Sequence, residues 1–306
     1  MTSTPYSSSE QMETKLQNPS LSPIPNPSFS SPATRLWRPA AQRNLRNQWS
    51  KLLSHKQQWY MASSSGRSHA TSLVNDYLRQ RYMSAMDLGC LSDMPNIRRK
   101  ACHKLARQQE IHGRKLLSSY KDMVTAVSHM ANTSSSMRCF LKGPASSPLV
   151  QFSSASEDKN DNGDGGGIPV FRFWSIPHFE NLGQELVQMF SLELSFKRLL
   201  VVELLSVSCE EVQQQSTGLC WSDELYPGEF NELSISNLYS EETQEPVLPR
   251  IKGWESNTQT IQFNHHPDQE ILQVYLTAWL AEVNIDTQRV GDIFSMVGEE
   301  MHVNLS

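Results

Sequence analysis

From Pro39 onward, large apolar side chains recur three and four positions apart. Leu45, Trp49, Leu52, Leu53 and Tyr60 share one stripe, with Arg43, Arg46, Lys51 and Lys56 mostly off it. This is the period of an amphipathic helix, and Pro39 suits its first turn, where no amide hydrogen is needed. Ser63, Ser64, Ser65 and Gly66 predict a break, after which Leu73, Val74, Tyr77, Leu78 and Tyr82 outline a second helix. A third is predicted from about Pro95 to Ala131, with Asp93 placed to cap its first amides. Its stripe runs through Ile97, Ala101, Leu105, Gln108, His112, Leu116, Tyr120, Val124 and Val127. At the rise of an α-helix it is about 55 Å long, so a small globule accommodates it only if it bends. Gly113 is the expected weak point, because glycine costs about 1 kcal/mol in a helix interior.

The pattern then changes. Met137 to Leu141, Leu149 to Phe152 and Val170 to Trp174 have β-branched and aromatic character and predict a small β element near the middle. Helical period returns with Phe179, Leu182, Leu186, Val187, Phe190 and Leu194. Leu199 to Val207 are apolar nearly all round and predict the most buried helix. Residues 216–266 read as irregular. Ile271, Tyr275, Trp279 and Val283 mark one terminal helix, and Asp286 caps another bearing Val290, Ile293 and Val297. The expected fold is therefore mainly α: basic N-terminal helices including one long one, the small β element, and an acidic C-terminal helical domain.

Composition divides the chain further. Residues 1–34 are rich in Ser and Pro and poor in large apolar side chains, so they are expected to be a disordered tail. Thr4-Pro5, Ser22-Pro23 and Ser31-Pro32 are candidate sites for proline-directed kinases, which makes the chain a candidate phosphoprotein. Residues 35–152 carry 19 basic and five acidic side chains, a balance of +14; residues 153–306 carry seven and 25, a balance of −18. The expected organisation is the tail, a basic helical region over 35–152, an acidic Gly-rich linker over 153–167, and an acidic, mostly helical domain over 168–306. The segregation has two readings: the halves dock on each other, or the basic half holds a polyanion. No window matches a membrane span or a secretory signal, so the chain reads as intracellular. The five cysteines form no C-x-x-C pair, so neither a disulfide framework nor a thiolate zinc site is expected.

Short motifs add little. Asp158-Lys159-Asn160-Asp161-Asn162-Gly163 opens like a calcium loop, but its closing glutamate position is Pro169, so a solvated linker is expected. Gly163, Gly165 and Gly167 precede a strand-like run, the wrong order for a phosphate cradle. Gly66-Arg67-Ser68-His69-Ala70 lacks the second glycine of a nucleophile elbow. His265-His266 has no further ligand at helical spacing. Val283, Ile285, Val290 and Ile293 fit the apolar positions of a DNA-reading helix-turn-helix, but Leu280 and Asn284 do not fit its tight turn, and an ordinary helical hairpin is expected. The sequence offers no catalytic set, and neither a cofactor nor a metal ion is expected.

The functional signal lies in the basic region. Arg43, Arg46 and Lys51 are interleaved with aromatic residues including Trp59, and Arg98, Arg99, Lys100, Lys104 and Arg107 cluster where the long helix begins. Cations among aromatic rings are what backbone-following, base-stacking surfaces use. Trp49 on the apolar stripe reads equally as core, and Arg98–Lys100 as a nuclear import signal. The expected function is that of a non-catalytic nuclear adaptor or scaffold in a multi-protein complex, associated with chromatin, the cell cycle or recombination. Its expected partners are other proteins, without a membrane. The alternatives are direct binding of DNA or RNA through residues 35–152 and a cytoplasmic location.

Overall fold

The computed structural model describes residues 32–83, 85–140, 169–208, 219–252 and 267–305. Its helices are α1 (Pro32–Met83), α2 (Ile97–Ser135), α3 (Ile176–Ser208), α4 (Glu229–Ile235), α5 (Gln269–Ala281) and α6 (Thr287–Met301). A two-stranded antiparallel sheet joins β1 (Tyr239–Ser240) to β2 (Glu245–Pro246), pairing Tyr239 with Pro246.

Side-chain contacts fix how the helices run. Asn44 meets Ser136, His55 meets His129, Ser65 meets Ser119, Asp76 meets His112 and Gln80 meets Gln109. Numbers fall along one helix as they rise along the other, so α1 and α2 form an antiparallel hairpin. Against α2, Gly183 of α3 lies beside Ser134 and Met137, while Arg198 and Tyr120 share Glu229, so α3 runs back antiparallel to α2. Against α3, Tyr275 meets Glu203, Trp279 meets Lys197, Asn284 meets Glu193 and Arg289 meets Glu185. The same column passes down α1, from Gln269 at Tyr82 through Trp279 at Ser63 to Phe294 at Trp49 and Met301 at Arg46. The architecture is an up-down-up-down bundle whose fourth column is two helices end to end.

A single cluster of buried apolar side chains fills the bundle and draws on every column. Trp59 packs edge-on against Phe190 at 5.4 Å, and Trp49 against Phe294 at 5.7 Å. Leu199 to Val207 behave as their composition predicts, with Leu200, Val201, Leu204 and Val207 all buried. Asp286 caps α6 as expected, accepting from the Arg289 amide at 2.9 Å.

Several local expectations are corrected. Ser63 to Gly66 do not break the first helix. Trp279 of α5 lies over them: its Nε1 donates to the Ser63 carbonyl at 3.0 Å, and a Cβ on Gly66 would stand 2.7 Å from its ring. The small residues are the place where the fourth column closes onto the hairpin. Pro39 lies inside α1 rather than in its first turn. Asp93 does not cap α2; the residue before that helix is Asn96, with φ 63° and no side-chain cap. α2 is one helix over Ile97–Ser135, and Gly113, the expected weak point, is buried within it. Met137 lies in a 3-10 turn over Ser136–Phe140, not in a strand.

Val170 to Trp174 form a curl, because the Glu300 carboxylate gathers the amides of Arg172, Phe173 and Trp174 at 2.8, 2.6 and 2.9 Å. The small β element lies further along, in the stretch read as irregular. Residues 1–31 of the tail, the segments 149–152 and 153–167, the calcium-like and glycine-rich runs and His265-His266 lie outside the described residues, while the last three tail residues, Pro32 to Thr34, are the start of α1 rather than disordered.

The acidic columns hold one buried ionic knot. Arg198, 1% exposed on its side chain, donates through Nε to Glu229 at 2.8 Å and to the carbonyls of Trp221 and Asp223 at 2.7 Å each. Glu229 also accepts from the Tyr120 hydroxyl and the Leu225 amide, both at 2.7 Å. The knot ties α2, α3, α4 and the loop between α3 and α4 together.

Two outcomes follow. Gly66→Ala gains about 1 kcal/mol of helix propensity, but it forces a methyl into the Trp279 ring, and such overpacking costs about 1–3 kcal/mol. Urea unfolding should show net loss of stability; a gain would mean that the ring does not lie there. Arg198→Met strands the buried Glu229 carboxylate and should cost about 3–5 kcal/mol. Adding Glu229→Gln should recover part of that loss, and full additivity would contradict the pairing.

Candidate functional site

The hairpin outruns the columns packed on it. α3 ends at Ser208, and α5 begins at Gln269, level with Tyr82 through a hydrogen bond of 3.2 Å. Beyond that level, none of the described residues from Arg81 to Gln108 is buried. The turn is nevertheless ordered by its own bonds. The Met86 amide donates to the Tyr82 carbonyl at 3.1 Å, Asp87 accepts from the Gly89 amide at 3.0 Å, and the Ser92 hydroxyl donates to the Gly89 carbonyl at 2.7 Å. Arg98 closes it, donating to the Met86 carbonyl at 2.6 Å.

Most of the candidate cations gather on this tip. Arg98, Arg99, Lys100, Lys104 and Arg107 are all exposed on the first three turns of α2, with Lys100, Lys104 and Arg107 spaced to share one face. From Arg79 to Arg107 there are seven basic and two acidic residues, a balance of +5. Sequence reasoning missed what lies among them. Met83 and Met86 face Ala101 and Leu105 across a hollow of about 330 Å³, which Arg79, Lys104 and Gln108 complete. Met86, Leu91 and Met94 are 49%, 40% and 52% exposed, a concentration of wet apolar side chains in one turn. The apolar stripe of α2 signalled Leu105, but as a core position.

The other candidates lie elsewhere. Arg43 and Lys51 are exposed near the opposite end of α1. Arg46 stacks on the Phe171 ring and donates to the Met301 carbonyl, so it fastens the fourth column to the first. Trp59 is corrected from surface contact to core: it is fully buried against Phe190 and has no face to offer a base.

Contacts between basic and acidic regions use carbonyls more than carboxylates. Arg38 donates to the Val170 and Phe171 carbonyls, Gln42 to Val170, and Arg81 to Pro267. Arg138 with Glu180 is an ion pair that joins the two regions. The would-be nucleophile elbow at Gly66 is interior helix. α5 and α6 do not fold back as a hairpin but continue along α1, parted by Glu282 at φ 45°. Among the described residues no group of three His, Cys, Asp or Glu is placed to hold a metal ion, and no helix is long and apolar enough to cross a membrane.

The strongly perturbed groups belong to the core rather than to the tip. Burial pushes the Tyr120 hydroxyl well above its usual range, helped by the Glu229 carboxylate it bonds. Burial likewise raises Glu282 and lowers Lys197, whose ammonium lies 3.0 Å from Glu193. These shifts follow from taking charge out of water and need no reaction to explain them. No family model matches the chain, and no curated protein sequence matches it.

The tyrosines give this electrostatic picture a test. Burial first, then the Glu203 carboxylate, raises Tyr275 to about 12; burial and neighbouring carboxylates raise Tyr120 and Tyr226 as well. An acid whose folded pKa is raised stabilises the fold below its unfolded pKa, about 10 for tyrosine, and that contribution is lost as pH rises through the folded value. Phenolate absorbance should therefore lag in the folded chain and jump on alkaline unfolding. Normal titration of all eight tyrosines in the folded protein would refute these environments.

Proposed function

We propose that the chain is a non-catalytic adaptor or scaffold of a multi-protein complex. The observation that carries this reading is the projecting hairpin tip: a self-bonded turn, none of whose described residues is buried, where exposed cations and apolar side chains are held together. The four-column bundle supports it as a rigid stalk, and its buried charges, Arg198 with Glu229 and Lys197 with Glu193, bond one another inside the core. The exposed run Arg98-Arg99-Lys100 is suited to a nuclear import receptor, which favours work in the nucleus. Association with chromatin, the cell cycle or recombination rests on the charge segregation and the Ser/Thr-Pro dipeptides of the tail.

Direct nucleic-acid binding is the second reading. Lys100, Lys104 and Arg107 on one exposed face support it, since a row of cations follows a phosphate backbone. Adaptor binding ranks first because the tip presents exposed Met86, Leu91 and Met94 beside its cations, and a phosphate backbone uses only the charge.

Reversing the cluster separates the tip from the fold. Arg99→Glu, Lys100→Glu and Arg107→Glu together, which leave the Arg98 bond that closes the turn in place, should shift the melting temperature by no more than about 2 °C, the surface being tolerant. Cross-linking and purification from the native cell should then lose specific partners that the unaltered chain retains. An unchanged partner set would reject the tip as the attachment point.

A further inference from the structure

The tip's chemistry narrows what it binds. Its hollow has an apolar floor (Met83, Met86, Ala101, Leu105) and cationic edges (Arg79, Lys104), and it runs in the groove between the end of α1 and the start of α2. Arg79 already holds Asp76 at 3.2 Å through one end of its guanidinium, so a purely apolar occupant would cover its other end and the Lys104 ammonium without partners, which is costly. A duplex would satisfy the cations but leave the methionines with nothing to pack on, and Asp87 and Asp93 of the turn would face its phosphates. An occupant that matches both features has carboxylates beside large apolar side chains. Methionine's flexible thioether adapts to such side chains without a preformed pocket.

We propose that this groove is a docking site for an acidic, amphipathic helical segment of a partner protein. The occupant's apolar side chains, at helical i, i+3/i+4 and i+7 spacing, lie over Met83, Met86 and Leu105, and its carboxylates meet Arg79 and Lys104. The net charge of +5 from Arg79 to Arg107 draws such a segment in before contact. The inference rests on the reading of the tip as the attachment point of an adaptor and adds the class of partner.

The test uses the full chain and three fluorescent probes. One is a synthetic peptide with leucines at that helical spacing and glutamates along both flanks; the second has the same composition scrambled; the third is a short DNA duplex. The ordered peptide should bind at least about tenfold more tightly than the scrambled one, the loss expected when anchors no longer fall together. Lys104→Glu should weaken the acidic peptide about tenfold and favour a version with lysines in place of the glutamates. Met86→Ser, which changes no charge, should weaken the ordered peptide as well.

Equal binding of ordered and scrambled peptides would overturn the proposal, and so would no peptide binding at all. Duplex binding that outcompetes the peptide would assign the tip to nucleic acid instead. If the peptide fails while the charge-reversed tip still loses native partners, the adaptor reading stands and this class of occupant is wrong.

Discussion

A helix pair is buried only along the length that other helices cover, and in this chain the lengths do not match. α1 and α2 have 52 and 39 residues, while α3 has 33 and the fourth column is assembled from helices of 13 and 15. The helices in the covered part are held by apolar packing and by the Arg198–Glu229 knot. Among the described residues, the part beyond them is held by bonds within the hairpin itself, and the exposed features of the tip follow from this mismatch. A supporting rod of about 78 Å for the full α1 is long for a chain of this size, and the α2 partner is what keeps its end helical.

The fourth column shows how the bundle closes where geometry resists it. Trp279 needs room that an ordinary helix face does not give, and Ser63 and Gly66 give it on α1. The same level holds Glu282, which parts α5 from α6 at positive φ and accepts from the Ser63 hydroxyl at 3.1 Å. Closure and interruption are thus close neighbours: α5 ends at Ala281, just after Trp279 enters, and the two helices on either side keep their own capping aspartates, Asp268 and Asp286.

Periodicity made most of this fold legible, because the stripes of α1, α2, α3, α5 and α6 record which faces are covered. It failed where a distant residue overrides a local signal. Ser63 to Gly66 carry a break signal that Trp279, more than 200 positions away, turns into a contact. Val170 to Trp174 carry a strand signal, yet Glu300 draws three successive amides to one oxygen and curls them. The site was half legible for a related reason. Arg98 to Arg107 stand out by charge, whereas Leu105 and Ala101 look the same in sequence whether or not a neighbour covers them. Trp59 went the other way: its flanking cations suggested a surface, and Phe190 makes it core.

The +14 and −18 regions raise the question of why the tip does not simply neutralise itself on the chain's own carboxylates. The columns pack through apolar faces, and basic side chains that cross the seam bond mainly carbonyl oxygens, so the packing consumes few charges of either sign. Lys100 lies eight helical residues beyond Gln108, about 12 Å further out than the level where α3 and α5 stop. At physiological ionic strength charges are screened over about 8 Å, so the carboxylates of α3, α5 and α6 act on the tip only weakly. Segregation in the sequence therefore survives folding as a positive field at the end of the stalk. The proposed docking of an acidic segment draws on that field, and the methionines beside it supply the apolar half of the proposed match.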